Sequence, residues 1–141
     1  MTPAAVLALV ASLTGQPAAR VQAVADAVDL ALASPAGAEV EALTQGHGRA
    51  LMLVLAVRES ELRADVEACR VTGDRGHAYG LWQEHDARVC SLGLAGQARR
   101  AVAHMAACSR TEAGTLEAAL SCYGGSRAEV ARRVAMFGRM R

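Results

Sequence analysis

The chain has 141 residues, enough to fill one core and too few to fill two. Fifteen basic residues, all of them arginine, stand against fourteen acidic ones, and the net charge of +1 excludes a strongly basic nucleic-acid binder. Hydrophobic residues make up 52% and charged residues 21%, which excludes a disordered chain, and the abundance of Ala and Leu makes helix the default.

All three prolines fall where a helix should begin. Thr2-Pro3, Gln16-Pro17 and Ser34-Pro35 each place Pro at a first helical position, predicting helices over 3–14, 17–33 and 35–44. In the second, Val21, Val24, Val28 and Leu32 recur at helical spacing. Gly46 and Gly48 break the pattern. From Arg49 to Arg63 a further helix is expected, and its run Leu51-Met52-Leu53-Val54-Leu55-Ala56-Val57 has no polar face. Such a helix is buried on all sides, so it should be the centre of the domain.

From Cys69 to Gln83 the period is lost. Glycines stand at 73, 76 and 80, with Thr72, Asp74, His77 and Tyr79 between them, as in a loop or a short hairpin. Helices resume over 83–90, 95–107, 112–123 and 127–139, the last opened by the capping box Ser126-Arg127-Ala128-Glu129. With no repeat, low-complexity tract or linker, 1–141 reads as one domain: N-terminal helices over 1–45, a motif-bearing middle over 46–125 and a closing helix over 126–141.

No apolar run reaches the roughly 18 residues of a membrane span, so no transmembrane segment is expected. Met1-Thr2-Pro3 lacks the basic start of a secretory signal. Either a signal has been removed or the chain leaves the cell by another route. Four cysteines, Cys69, Cys90, Cys108 and Cys122, suit two disulfides with three possible connectivities, or four small buried thiols. The set Cys69, His77, His85 and Cys90 has no common zinc spacing, and no metal or cofactor is expected. His77 and His85 flank the glycine-rich loop as solvent-facing or substrate-touching residues. Arg99, Arg100, Arg132 and Arg133 are read as solvated helix faces that would also attract an anionic cell wall.

Glu59 closes the apolar run in Val57-Arg58-Glu59-Ser60. Desolvation and the negative end of the helix both disfavour its charged form, which is how a carboxylic acid stays protonated to act as a general acid. The plain alternative is a surface Glu paired with Arg63. Aromatic residues number four, and three of them, Tyr79, Trp82 and Tyr123, stand beside glycines, which suggests a sugar-binding surface. The alternative places Tyr123 on a core face with Leu116 and Leu120, and Trp82 as a hydrophobic plug.

Taken in order, Glu59-Ser60, Gly73-Asp74-Arg75-Gly76, Gly80-Leu81-Trp82-Gln83 and Tyr123-Gly124-Gly125 resemble the motifs of goose-type lysozymes and lytic transglycosylases, over roughly residues 49–125. Gly-Asp-Arg-Gly ahead of Gly-Leu-x-Gln is most similar to the goose-type branch. Two positions depart from the pattern: Trp82 stands where the family usually has Met, and Gly124 where it usually has Asn.

The resemblance implies a mainly α, lysozyme-like α+β fold, with a helical bundle around the buried helix and a small loop or hairpin lobe over 70–83. It implies a muramidase that cleaves the β-1,4 bond between N-acetylmuramic acid and N-acetylglucosamine in peptidoglycan. Glu59 would protonate the glycosidic oxygen. Asp74, or Asp86 after it, would activate water from about 6.5–9.5 Å away. Ser60, Tyr79, Gly80, Leu81, Trp82, Gln83, Tyr123 and Gly124 would contact substrate. The alternatives are a transglycosylase giving 1,6-anhydro ends, or an inactive lysozyme-like module with an assembly partner in a virion or envelope machine. Peptidoglycan strands are then the partner, and the periplasm, cell exterior or virion the location. The preferred disulfide is Cys69–Cys90, which would brace the loop between Glu59 and Gln83.

Overall fold

Local signals start and stop the first helices. In this computed structural model, which describes residues 1–111 and 113–141, α1 spans Pro3–Thr14. Thr2 Oγ1 accepts from the Ala5 amide, and Gly15 closes the helix at φ 68°. Helix α2 spans Ala18–Leu32, and α3 (Pro35–Thr44) starts where Ser34 Oγ accepts from the Gly37 amide. Pro17 departs from expectation: it is the extended residue before α2, at φ −60° and ψ 147°, and not its first helical residue.

Helix α4 (Gly48–Ser60) is the centre. Every residue from Ala50 to Val57 is buried. Each Leu, Met or Val so buried is worth about 1.5–3 kcal/mol, which is what stabilises a helix without a polar face at this position. The chain continues through the short α5 (Ala64–Glu67) to α6 (Gly93–Ser109), α7 (Leu116–Tyr123) and α8 (Arg127–Met140). Helices α1, α2, α3 and α8 pack on α4, while α6 packs on α2, α3 and α7. The fold of the described residues is therefore mainly helical, and none of their helices is long and apolar enough to cross a membrane.

Between α5 and α6 lies a small lobe built from two isolated antiparallel bridges, Gly73 with Ala78 and Tyr79 with Glu84. The helix expected over 83–90 does not form. Tyr79 and Glu84 exchange backbone hydrogen bonds of 2.9 and 3.0 Å, and Gln83 sits at φ 52°, a geometry no α-helix holds. Only Ala87–Ser91 winds into a 3-10 turn.

Two disulfides fasten these parts. Cys69–Cys90 closes the lobe, and Cys108–Cys122 ties α6 to α7. With both sulfurs bonded to each other, Cys69 and Cys90 are no metal ligands. The start of a helix at residue 112 lies outside the described residues; α7 begins at Leu116, where Thr115 Oγ1 accepts from the Ala118 amide. At α8, Ser126 Oγ accepts from the Glu129 amide, but the other half of the capping box is missing. The Glu129 carboxylate turns instead to Arg58.

Candidate active site

The Gly-Leu-Trp-Gln segment is held from behind by α6 and from below by α4. The buried Gln97 side chain accepts from the Leu81 amide at 3.0 Å and donates to the Glu67 carbonyl at 2.9 Å. Trp82, only 1% exposed, donates from Nε1 to the Met52 carbonyl at 3.0 Å. It is a core plug as well as part of the site wall. Gln83 donates from Nε2 to the Gly80 carbonyl at 2.9 Å. A Cβ at Gly73 would stand 2.0 Å from Gln83 Oε1, so any larger residue there would displace the Gln83 amide.

A groove of about 980 Å³ runs past this segment, lined among others by Glu59, Asp74, Gln83, Glu84, His104 and Tyr123. A second, of about 310 Å³, is also bordered by Glu59 and Gln83. Trp82 and Gly124 also line the larger groove. Other expected contacts fall elsewhere. Ser60 borders the smaller groove, but its buried hydroxyl donates to the Ala56 carbonyl at 2.9 Å, one helical turn back. Tyr79, Gly80 and Leu81 line neither groove; Leu81 is wholly in the core. Asp86 accepts from the Arg88 amide and pairs with the Arg88 guanidinium, so it shapes the 3-10 turn and does not face the groove.

Glu59 does not pair with Arg63, which turns to Asp65. It pairs with Arg133 of α8. This corrects the reading of Arg133 as part of a solvated face: the residue is 3% exposed, and its guanidinium also donates to the Gly124 carbonyl. Gly124 and Gly125, at φ 133° and 118°, take backbone shapes that suit glycine and let the chain pass beside that guanidinium. Around the pair, Arg58 makes a bidentate 2.8 Å contact with Glu129. Burial pushes the Glu59 carboxyl above its ordinary range, aided by the Glu129 and Glu84 charges and opposed by Arg133 and Arg58. The Arg58 hydrogen bond holds Glu129 below its ordinary range.

Asp74 lies on the groove rim in a tight turn at φ 44°, with 60% of its side chain exposed, 3.3 Å from an equally exposed His85. More is happening in the wall opposite. Glu84 is 5% exposed, accepts from the Tyr123 hydroxyl at 2.8 Å, and places both oxygens 3.0 and 3.1 Å from His104 Nδ1. The His104 ring stacks on Tyr123, centroids 4.4 Å apart. Burial, then the Glu84 charge, pushes the Tyr123 hydroxyl well above its ordinary range. Glu84, His104 and Arg133 have no local spacing that marks them; the one available signal was that Glu84 directly follows Gln83.

Compared with protein-family models, curated proteins and solved structures, the chain matches none of them.

Proposed function

We propose that this protein is a muramidase that cleaves peptidoglycan glycan strands between N-acetylmuramic acid and N-acetylglucosamine, with Glu59 as general acid. The observation that carries the reading is the position of Glu59. It stands just beyond the buried run 50–57 of α4, borders both grooves, and shares the larger one with Gln83 and Tyr123. A long polymer needs room on both sides of the acid, and an acid that works near neutral pH needs the upward push that burial supplies. The lysozyme-like fold belongs to the same proposal: a helical body, a small bridged lobe, and the catalytic groove beside them. Two disulfides suit an oxidising location such as the periplasm, the cell exterior or a virion surface.

One observation favours a second reading, in which the substrate's own 6-hydroxyl closes a 1,6-anhydro ring. The acid expected to activate water, Asp74, is 60% exposed and tied to His85. Digestion of purified peptidoglycan followed by mass analysis separates the cases. Reducing muramic ends support the muramidase, and ends lighter by one water support the transglycosylase. Glu59→Gln should abolish either product while the fold melts normally, a loss of about 10²–10⁴-fold. Wild-type protein that binds cell wall and releases nothing would favour an inactive binding or assembly module.

A further inference from the structure

Two carboxylate–histidine pairs face the larger groove, and they differ in construction. Asp74 and His85 are both largely exposed on the rim. Glu84 and His104 are built into the wall. Glu84 has both oxygens occupied, by the Tyr123 hydroxyl and by His104 Nδ1, and is 5% exposed, so its hydrogen-bonding capacity is directed into the wall and not at a ligand. A carboxylate only accepts hydrogen bonds, so the nitrogen facing it, Nδ1, is the one that carries the proton. In the neutral ring that leaves Nε2 with the lone pair. Among the described residues Nε2 has no hydrogen-bond partner, while the side chain is 34% exposed and lines the groove that holds Glu59. Stacking on Tyr123, itself anchored through its hydroxyl to Glu84, fixes the plane of the ring.

We infer that His104 Nε2 is the general base of the site and that Glu84 is its positioning residue, holding the tautomer and offsetting the imidazolium charge that forms. The inference rests on the glycan-cleaving reading above. In the step, His104 Nε2 takes a proton from water and the water oxygen bonds to C1 of the muramic residue. The C1–O4 bond breaks, its electron pair goes to O4, and O4 takes the proton of the Glu59 carboxyl. The excess proton on His104 leaves to solvent and Glu59 regains one, so one water is consumed per cut. If the products carry anhydro ends, the 6-hydroxyl takes the place of water in the same step. The nucleophile and its base can then be supplied without Asp74.

The test uses the disulfide-intact chain on purified peptidoglycan, comparing wild type, Glu59→Gln, His104→Ala and Glu84→Gln. His104→Ala should lose about 10²-fold or more in turnover and regain part of it with added imidazole, because deleting the ring leaves a space open to the groove. A merely structural histidine would not be rescued in this way, so loss without rescue overturns the assignment. Glu84→Gln should lower turnover with little change in KM. A His104→Ala variant as active as wild type, beside an inactive Glu59→Gln, would overturn this inference alone and leave the proposed function standing. Wild type that releases no fragments defeats the proposed function first. Should His104→Ala fail to fold, the ¹⁵N shifts of neutral His104 in the wild type decide: Nδ1–H supports the base, and Nε2–H overturns it.

Discussion

Arg133 joins the Glu59 carboxylate of α4 to the Gly124 carbonyl at the start of the turn before α8, with 4% of its side chain exposed. The site acid therefore has a buried cation as its immediate partner. The two act in opposite senses: burial raises the acid, and Arg133 draws it back. How far Glu59 is protonated near neutral pH depends on that balance.

Replacing Arg133 by Met should tip the balance. Without the cation the Glu59 carboxyl rises further, so the acid stays protonated to higher pH and the alkaline limb of the activity profile moves up. Removing one partner of a buried pair should also destabilise the fold by about 3 kcal/mol, the lower end of such losses, because Glu59 can take up a proton. Denaturant melts and a pH–rate profile check both effects. An alkaline limb that moves down would show that Arg133 does not restrain this acid.

Acid should weaken the fold through Glu129. Arg58 holds its carboxyl below the ordinary value of 4.5, so the unfolded chain binds more protons than the native one as pH falls. The stabilisation is complete above about pH 4.5 and is lost as pH drops through the lowered native value. Glu129→Gln should melt lower at pH 7, by about 1 kcal/mol for a partly exposed pair, and its melting should change less with pH below 4.5. Parallel melting curves for the two proteins across that range would refute the assignment.

Opening the Cys69–Cys90 bridge should loosen the lobe that carries Asp74 and Gln83. The bridge spans a sequence separation of 21, which the chain-entropy account values at about 3 kcal/mol. A Cys69→Ala, Cys90→Ala variant should melt lower by that amount and lose activity at temperatures where its helical circular dichroism is intact. Activity and helix signal lost together would mean that the lobe is not separately braced.

Asp74→Asn distinguishes the two candidate bases. Its exposed position on the rim and its pairing with an exposed His85 predict a loss well below the about 10²-fold expected of a general base. Turnover of cell wall by this variant, measured beside His104→Ala, checks the order. A larger loss for Asp74→Asn than for His104→Ala would return the water-activating role to the loop acid.

Much of the helical body was legible because its signals are local. Pro3 and Pro35 with their Thr2 and Ser34 caps mark two helix starts, and the run 50–57 could be read as buried because no face of it is polar. Gly73 and Gly80 announced irregular backbone around the motif segment. The expected helix over 83–90 fails because the Tyr79–Glu84 bridge takes the Glu84 carbonyl that a helix would have used, and alternation at that short range is not marked by residue type.

The sequence alone also marked Glu59, since an acid ending an apolar helix is conspicuous. It could not mark what surrounds that acid. Arg132 and Arg133 are adjacent and identical in kind, yet their side chains are 62% and 4% exposed. Residue type and spacing do not separate them; the packing of α8 on α4 does, by turning one toward solvent and the other toward a carboxylate 74 positions earlier. Glu84 and His104 meet in the same way across 20 positions, when α6 passes behind the bridged lobe. Local chemistry determined where helices begin and which one is buried, while the charges that share the groove were decided only when distant helices packed together.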